Sequence, residues 1–164
     1  MKAVIYARVS SIGDRQNTDR QISDLLDYVE YQNLELCKIY EEHISGAKKN
    51  SERPVLQQAI DFCKSNGVSI LLVSELSRLG RNAFEVLATV KDLVDSGINL
   101  YMQKEQLKLL DSEGKPTMFA PIMIATLWPI AHFAGFDLTQ MPIFTSVSRV
   151  SNVSEHKSTV ENAQ

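Results

Sequence analysis

The chain has 164 residues, of which 44% are hydrophobic, 23% charged and 7% aromatic. This is the length of one domain, with enough apolar side chains to bury a real core. Lysine and arginine total 17 against 20 aspartates and glutamates, and the resulting net charge of −3 excludes both a strongly basic nucleic-acid coat protein and a polyanionic disordered chain.

Four short apolar runs, at 3–9, 34–40, 69–73 and 98–102, have strand length and the β-branched or large apolar residues of buried parallel strands. The period between them is helical. Asn17 is a predicted cap for a helix with Ile22, Leu25, Leu26 and Val29 on one face. Pro54 suits the first turn of a second helix, whose stripe is Leu56, Ala59, Ile60 and Cys63. Asn82 opens a third, with Val86, Val90, Leu93 and Val94 aligned and Gly97 as its stop. A fourth is predicted from Thr117, with Phe119, Ile122 and Met123 in register, until Trp128-Pro129 ends or kinks it. This alternation predicts an α/β domain: a mainly parallel, flavodoxin-like sheet of four to five strands flanked by helices.

The first strand ends in Tyr6-Ala7-Arg8-Val9-Ser10, and strand alternation projects Arg8 and Ser10 to the same side. In open α/β sheets the reactive crevice lies beyond the carboxyl ends of the strands, where strand order reverses. A serine in that place is ordinarily turn chemistry. A second cluster, Ser77-Arg78-Leu79-Gly80-Arg81, follows the third strand, and Arg78 and Arg81 share a face if the turn is helical. Their ordinary reading is surface pairing with Glu75 or Glu85. If the first and third strands are neighbours, however, Ser10, Arg8, Arg78 and Arg81 meet as a nucleophile among three cations, a grouping suited to phosphoryl transfer.

Other chemistries find little support. His43, His132 and His156 are scattered without ligand spacing, so no metal site is expected. Cys37 and Cys63 match no metal or redox spacing and read as buried thiols of a reducing compartment. A glycine-rich phosphate loop is absent, and Asp14 and Asp19 lie beyond the first strand, where a phosphate receiver would need its acids clustered.

Taken in order, Tyr6-Ala7-Arg8-Val9-Ser10, Arg20-Gln21, Ser45-Gly46, Arg53-Pro54 and Ser77-Arg78-Leu79-Gly80-Arg81 resemble the catalytic domain of serine site-specific recombinases of the resolvase/invertase family, over about residues 1–127. The resemblance implies that Ser10 is the nucleophile that joins the 5′ end of a broken DNA strand. It implies that Arg8, Arg78 and Arg81 bind the scissile phosphate, and that Gln21, Ser45 and Arg53 complete the site. It further implies metal-free chemistry without a cofactor, DNA as partner, and a homodimer that assembles into a homotetramer. Ser77 stands where many members carry an aspartate, and Glu42 is the nearest alternative acid.

The expected organisation is a catalytic domain over 1–136 and a disordered, hydroxyl-rich tail over 137–164, with no helix-turn-helix domain. Truncation or a frameshift after Leu127 would account for the change of pattern there. No signal peptide is expected at the start, and the apolar stretch 121–136 is too short and interrupted to span a membrane, so the expected location is the cytoplasm. Two other readings stand beside the recombinase: a non-catalytic remnant acting as a dimerisation or interaction module, and an unrelated phosphate-ester hydrolase on the same kind of sheet.

Overall fold

The computed structural model describes residues 1–9, 15–43, 53–80, 82–115 and 117. Contacts divide the chain into two units, Met1–Leu109 and Leu110–Gln164. The first contains β1 (Lys2–Val9), α1 (Arg15–Tyr31), β2 (Glu35–His43), α2 (Pro54–Ser65), β3 (Ile70–Val73), a 3₁₀ turn (Leu76–Arg78), α3 (Ala83–Asp95), β4 (Asn99–Met102) and β5 (Leu107–Lys108). In the second, the Asp111 side chain accepts hydrogen bonds from the Glu113 and Lys115 backbone amides in a tight turn. The predicted fourth helix beyond Thr117, the segment 121–136 and the tail 137–164 lie outside the described residues.

Strand order is β2-β1-β3-β4-β5. The first three neighbouring pairs are parallel, and β5 adds antiparallel to β4. The predicted mainly parallel, flavodoxin-like sheet is the observed one. β5 is only two residues long, too short to leave a periodic signal in the sequence. Strand order reverses between β1 and β3, where a crevice opens beyond their carboxyl ends.

The α1 face of the sheet is an apolar cluster of Ala3, Ile5, Leu25, Val29, Ile70, Leu72 and Tyr101. Tyr28 closes it by stacking on Tyr101 with ring centres 3.6 Å apart. Leu25, Tyr28 and Val29 stand at i, i+3 and i+4, so they form the buried stripe. The expected stripe is corrected at Leu26, which falls to the side and is 38% exposed. Asn17 is also not the cap, since α1 starts two residues earlier, at Arg15. A short polar residue is tolerated in the first turn because its N–H groups have no intrahelical acceptor.

On β2 the register slips, with Ala3 opposite Leu36 and Val4 opposite Lys38, which leaves Cys37 as the extra residue. The bulge reverses the facing of everything after it. Leu36 and Ile39 therefore both pack on the α1 cluster, while Tyr40 turns to the opposite face and meets Phe62 of α2 edge-on. The same irregularity keeps Cys37 half-exposed, correcting the expectation of two buried thiols; Cys63 is buried as expected. Burial, and then the neighbouring Cys37, push the Cys63 thiol up to about 12.

Helices α2 and α3 follow their sequence signals. Pro54 is at the start of α2, which buries Leu56, Ala59, Ile60 and Cys63. The Asn82 side chain accepts from the Glu85 amide at 2.9 Å and caps α3. Gly97 ends that helix with φ of 70°, a conformation that costs glycine nothing. An ion pair between Lys64 and Asp92 joins α2 to α3.

Candidate active site

The crevice is built from the carboxyl ends of β1 and β3. Tyr6 pairs with Val73 across the two strands, so Arg8 continues beyond that pair and the loop after β3 opens beside it. Arg8 shares a face of β1 with Tyr6 and Val4, opposite the α1 cluster. It is half-buried, and its Nε and Nη1 are enclosed without a hydrogen-bond partner among the described residues.

Arg53 precedes α2 and is fully buried. Its Nη1 donates to the Arg78 carbonyl at 3.2 Å, while Nε and Nη2 have no partner among the described residues. Arg78 ends the 3₁₀ turn. Its Nη2 donates to Glu75 at 2.5 Å and its Nε to the Ser74 hydroxyl at 3.4 Å. Burial first, then the charges of Arg78 and Arg53, push the Arg8 guanidinium below its ordinary value. Like charges lower a cation's pKa in this way only when they are close in a poorly solvated place.

Two acids balance the arginines in different ways. Glu42 on β2 is 1% exposed. It accepts from the Tyr6 hydroxyl at 2.5 Å and from the Val55 amide in the first turn of α2 at 3.2 Å, where a helix N-terminus favours negative charge. Burial, with the Glu42 hydrogen bond and charge, holds the Tyr6 phenol above its ordinary value, so it stays neutral and donates. Glu75 sits at the mouth of the crevice between Arg78 and Lys104, which lies 3.2 Å from its second oxygen.

The loop carrying Arg78 is firmly held. Leu79 is fully buried, and the Thr89 hydroxyl of α3 donates to its carbonyl. A Cβ on Gly80 would lie 2.6 Å from the Val86 backbone nitrogen, so only glycine lets the loop lie this close to α3. Gln21 and Asp24 of α1 line a cleft of about 420 Å³ together with Ser74, Glu75, Arg78, Gln103 and Lys104.

Of the seven residues singled out in the sequence, Arg8, Arg53 and Arg78 thus come together and Gln21 faces their cleft, while Ser10, Ser45 and Arg81 lie outside the described residues. Surface pairing with Glu75, the ordinary reading of Arg78, is also present. Tyr6 and Lys104 had no role assigned from the sequence. Strand alternation places Tyr6 beside Arg8, but Lys104 follows β4 with no signal in its neighbours.

A mainly parallel sheet with arginines converging at its switch point, several of their donors unpaired among the described residues, defines the class as an α/β domain. Comparison with known proteins makes the class specific. The resolvase N-terminal domain family matches residues 3–128, and the chain belongs to that family: it carries a serine-recombinase catalytic domain. It is 36% identical over 105 residues to the transposon Tn552 DNA-invertase BinR of Staphylococcus aureus, covering 63% of this chain and 48% of that protein. It is 31% identical over 114 residues to the transposon Tn2501 resolvase of Escherichia coli, covering 69% of this chain and 56% of that protein. The chain therefore spans about half the length of the curated relatives it matches. Among solved structures, the N-terminal catalytic domain of TP901-1 integrase superposes with a TM-score of 0.62 at 28% identity, covering 82% of this chain and 96% of that one. A resolvase-family site-specific recombinase from Streptococcus pneumoniae shares the fold, with a TM-score of 0.60 at 22% identity over 98% of this chain and 99% of that one. Among the described residues, no helix is long and apolar enough to cross a membrane.

Proposed function

We propose that this chain cleaves and rejoins DNA strands in site-specific recombination through a covalent phosphoserine at Ser10. The Ser10 oxygen attacks the scissile phosphorus and gives up its proton. The bond to the 3′ oxygen breaks, that oxygen leaves as a hydroxyl, and the 5′ phosphate remains on the serine. Rejoining runs the same step backwards with a new 3′ hydroxyl. Arg8, Arg78 and Arg81 hold the phosphate oxygens and stabilise the second negative charge of the pentacoordinate state, while Gln21, Ser45 and Arg53 complete the pocket.

The observation that carries this reading is the convergence of Arg8, Arg53 and Arg78, with buried N–H groups on Arg8 and Arg53 that have no partner within the described residues. Leaving such donors unpaired costs stability unless a ligand anion satisfies them. The relatives' names, an invertase and a resolvase of transposons, favour strand exchange on a mobile element. The partners in this reading are DNA and further copies of the chain, as a homodimer and then a homotetramer, in the cytoplasm. Residues 1–136 act as the catalytic domain and 137–164 as a tail that adds no grip on DNA.

Incubation with suicide substrate DNA carrying a nick tests the proposal. A covalent protein–DNA adduct is expected, and Ser10→Ala should abolish it while leaving the melting temperature unchanged. An adduct that persists in Ser10→Ala refutes the nucleophile. Absence of any adduct favours a non-catalytic interaction module, and turnover of small phosphomonoesters favours a hydrolase.

A further inference from the structure

Among the described residues, Glu75 is the acid that directly contacts an arginine of the candidate site, Arg78. Its Oε1 accepts from Arg78 Nη2 at 2.5 Å, and its Oε2 accepts from Lys104 Nζ at 3.2 Å. Burial by itself would raise the Glu75 carboxyl, but Ser77, Arg78 and Lys104 outweigh it and hold the group below the ordinary carboxylate range. Glu75 is therefore a fixed anion at neutral pH.

These contacts leave the guanidinium of Arg78 little freedom. Nη2 is tied to Glu75, Nε to Ser74, and the backbone carbonyl to Arg53, while Leu79 and Gly80 lock the following loop against α3. A long flexible side chain held at both Nε and Nη2 keeps one orientation with Nη1 outside those bonds. The charge balance also matters. Among the described residues, the four cations Arg8, Arg53, Arg78 and Lys104 face three acids, Glu42, Glu75 and Asp24 of the cleft lining, so the carboxylates orient the cations without cancelling them. Because Lys104 shares Glu75, the ion pair does not consume the full charge of Arg78.

We propose that Glu75 is a positioning residue that, bridged to Lys104, aims the Arg78 guanidinium into the cleft before any phosphate arrives. The inference rests on the recombinase reading only for what Arg78 is aimed at. A guanidinium fixed in advance loses no orientation when the transition state forms, and misplacing such a group by about 1 Å costs on the order of 100-fold.

The experiment uses the full chain with Glu75→Ala, Glu75→Gln and Lys104→Ala, and two readouts. The first is solvent exchange of the Arg78 Nε–H followed by ¹⁵N NMR, with α3 backbone amides as the control for intact structure. Exchange should quicken strongly in Glu75→Ala, less in Glu75→Gln and least in Lys104→Ala, with α3 unchanged. The second is adduct formation on suicide DNA, which should fall on the order of 10–100-fold in its maximal rate for Glu75→Ala with little change in the DNA concentration needed. Arg78 exchange that is the same in Glu75→Ala as in the parent overturns the proposal. So does faster cleavage in that variant, which would make Glu75 a competitor of the phosphate. If the parent chain forms no adduct, the recombinase reading fails while the Arg78 signal still decides the role of Glu75.

Discussion

The two faces of β1 do opposite things with the same eight residues. Ala3 and Ile5 point into the α1 cluster, whose members are apolar and buried or partly buried. Tyr6 and Arg8 point the other way, into a place where, among the described residues, three arginines and two glutamates are packed with several donors unsatisfied. The first face gains free energy by removing hydrocarbon from water. The second spends some of it, because partly desolvated like charges repel and unpaired donors lose their water. The contrast teaches that the stability of this domain and its chemistry are housed on opposite faces of one strand, so they should respond to different substitutions.

The sharpest test of that separation is on the apolar face. Leu72 is fully buried in the middle of the sheet, and Leu72→Ala should cost about 2–5 kcal/mol in urea unfolding through lost burial and the cavity left behind. A loss below 1 kcal/mol would mean that the α1 cluster does not carry the fold. Arg8→Ala is the converse. Adduct formation should slow by on the order of 10²–10³-fold, as when one donor is removed from an anion-stabilising site. Its melting temperature should hold or rise, because a half-buried cation crowded by Arg53 and Arg78 is removed. A melting temperature that falls by several degrees would contradict the separation.

Glu42→Ala probes where the two functions meet. It strands the Tyr6 hydroxyl and the Val55 amide without an acceptor, so urea unfolding should show a loss of about 1–3 kcal/mol. The smallest effect is expected at the cysteines. The native protein at pH 8 should react with a thiol reagent quickly at half-exposed Cys37 alone, and at both thiols once unfolded. Since folding raises the Cys63 thiol from its ordinary 9.0 to about 12, its contribution to stability is present below pH 9 and is lost as the pH rises toward 12. Cys63→Ala should flatten that part of the stability profile measured by melting at pH 8 to 11.

Local signals were enough for much of this molecule. Four runs of strand-forming residues, Pro54 at a helix start, the Asn82 cap and Gly97 at a positive φ all act within one or two turns of chain, so each can be read where it stands. Periodicity likewise marks Leu56, Ala59, Ile60 and Cys63 as core, and the order of the five motifs marks Arg8, Arg53 and Arg78 as candidates for one site. Nothing local, however, distinguishes Leu26 from Leu25, because the difference lies in where the sheet passes beneath α1. The bulge at Cys37 is also silent in sequence, although it decides which side chains of β2 reach the crevice and brings Glu42 to Tyr6.

The sequence by itself determined the elements, the α/β class and the identity of the cations, since side-chain period and residue chemistry are properties of short segments. Only the tertiary structure decided which charges meet. Arg8, Arg53, Arg78 and Lys104 come from four separate segments, and their distances follow from the β2-β1-β3-β4 order of the sheet. Electrostatic energy depends on separation and burial, not on position along the chain, so the pairing of Glu75 with Lys104 and the crowding of Arg8 by Arg53 and Arg78 exist only in the folded molecule.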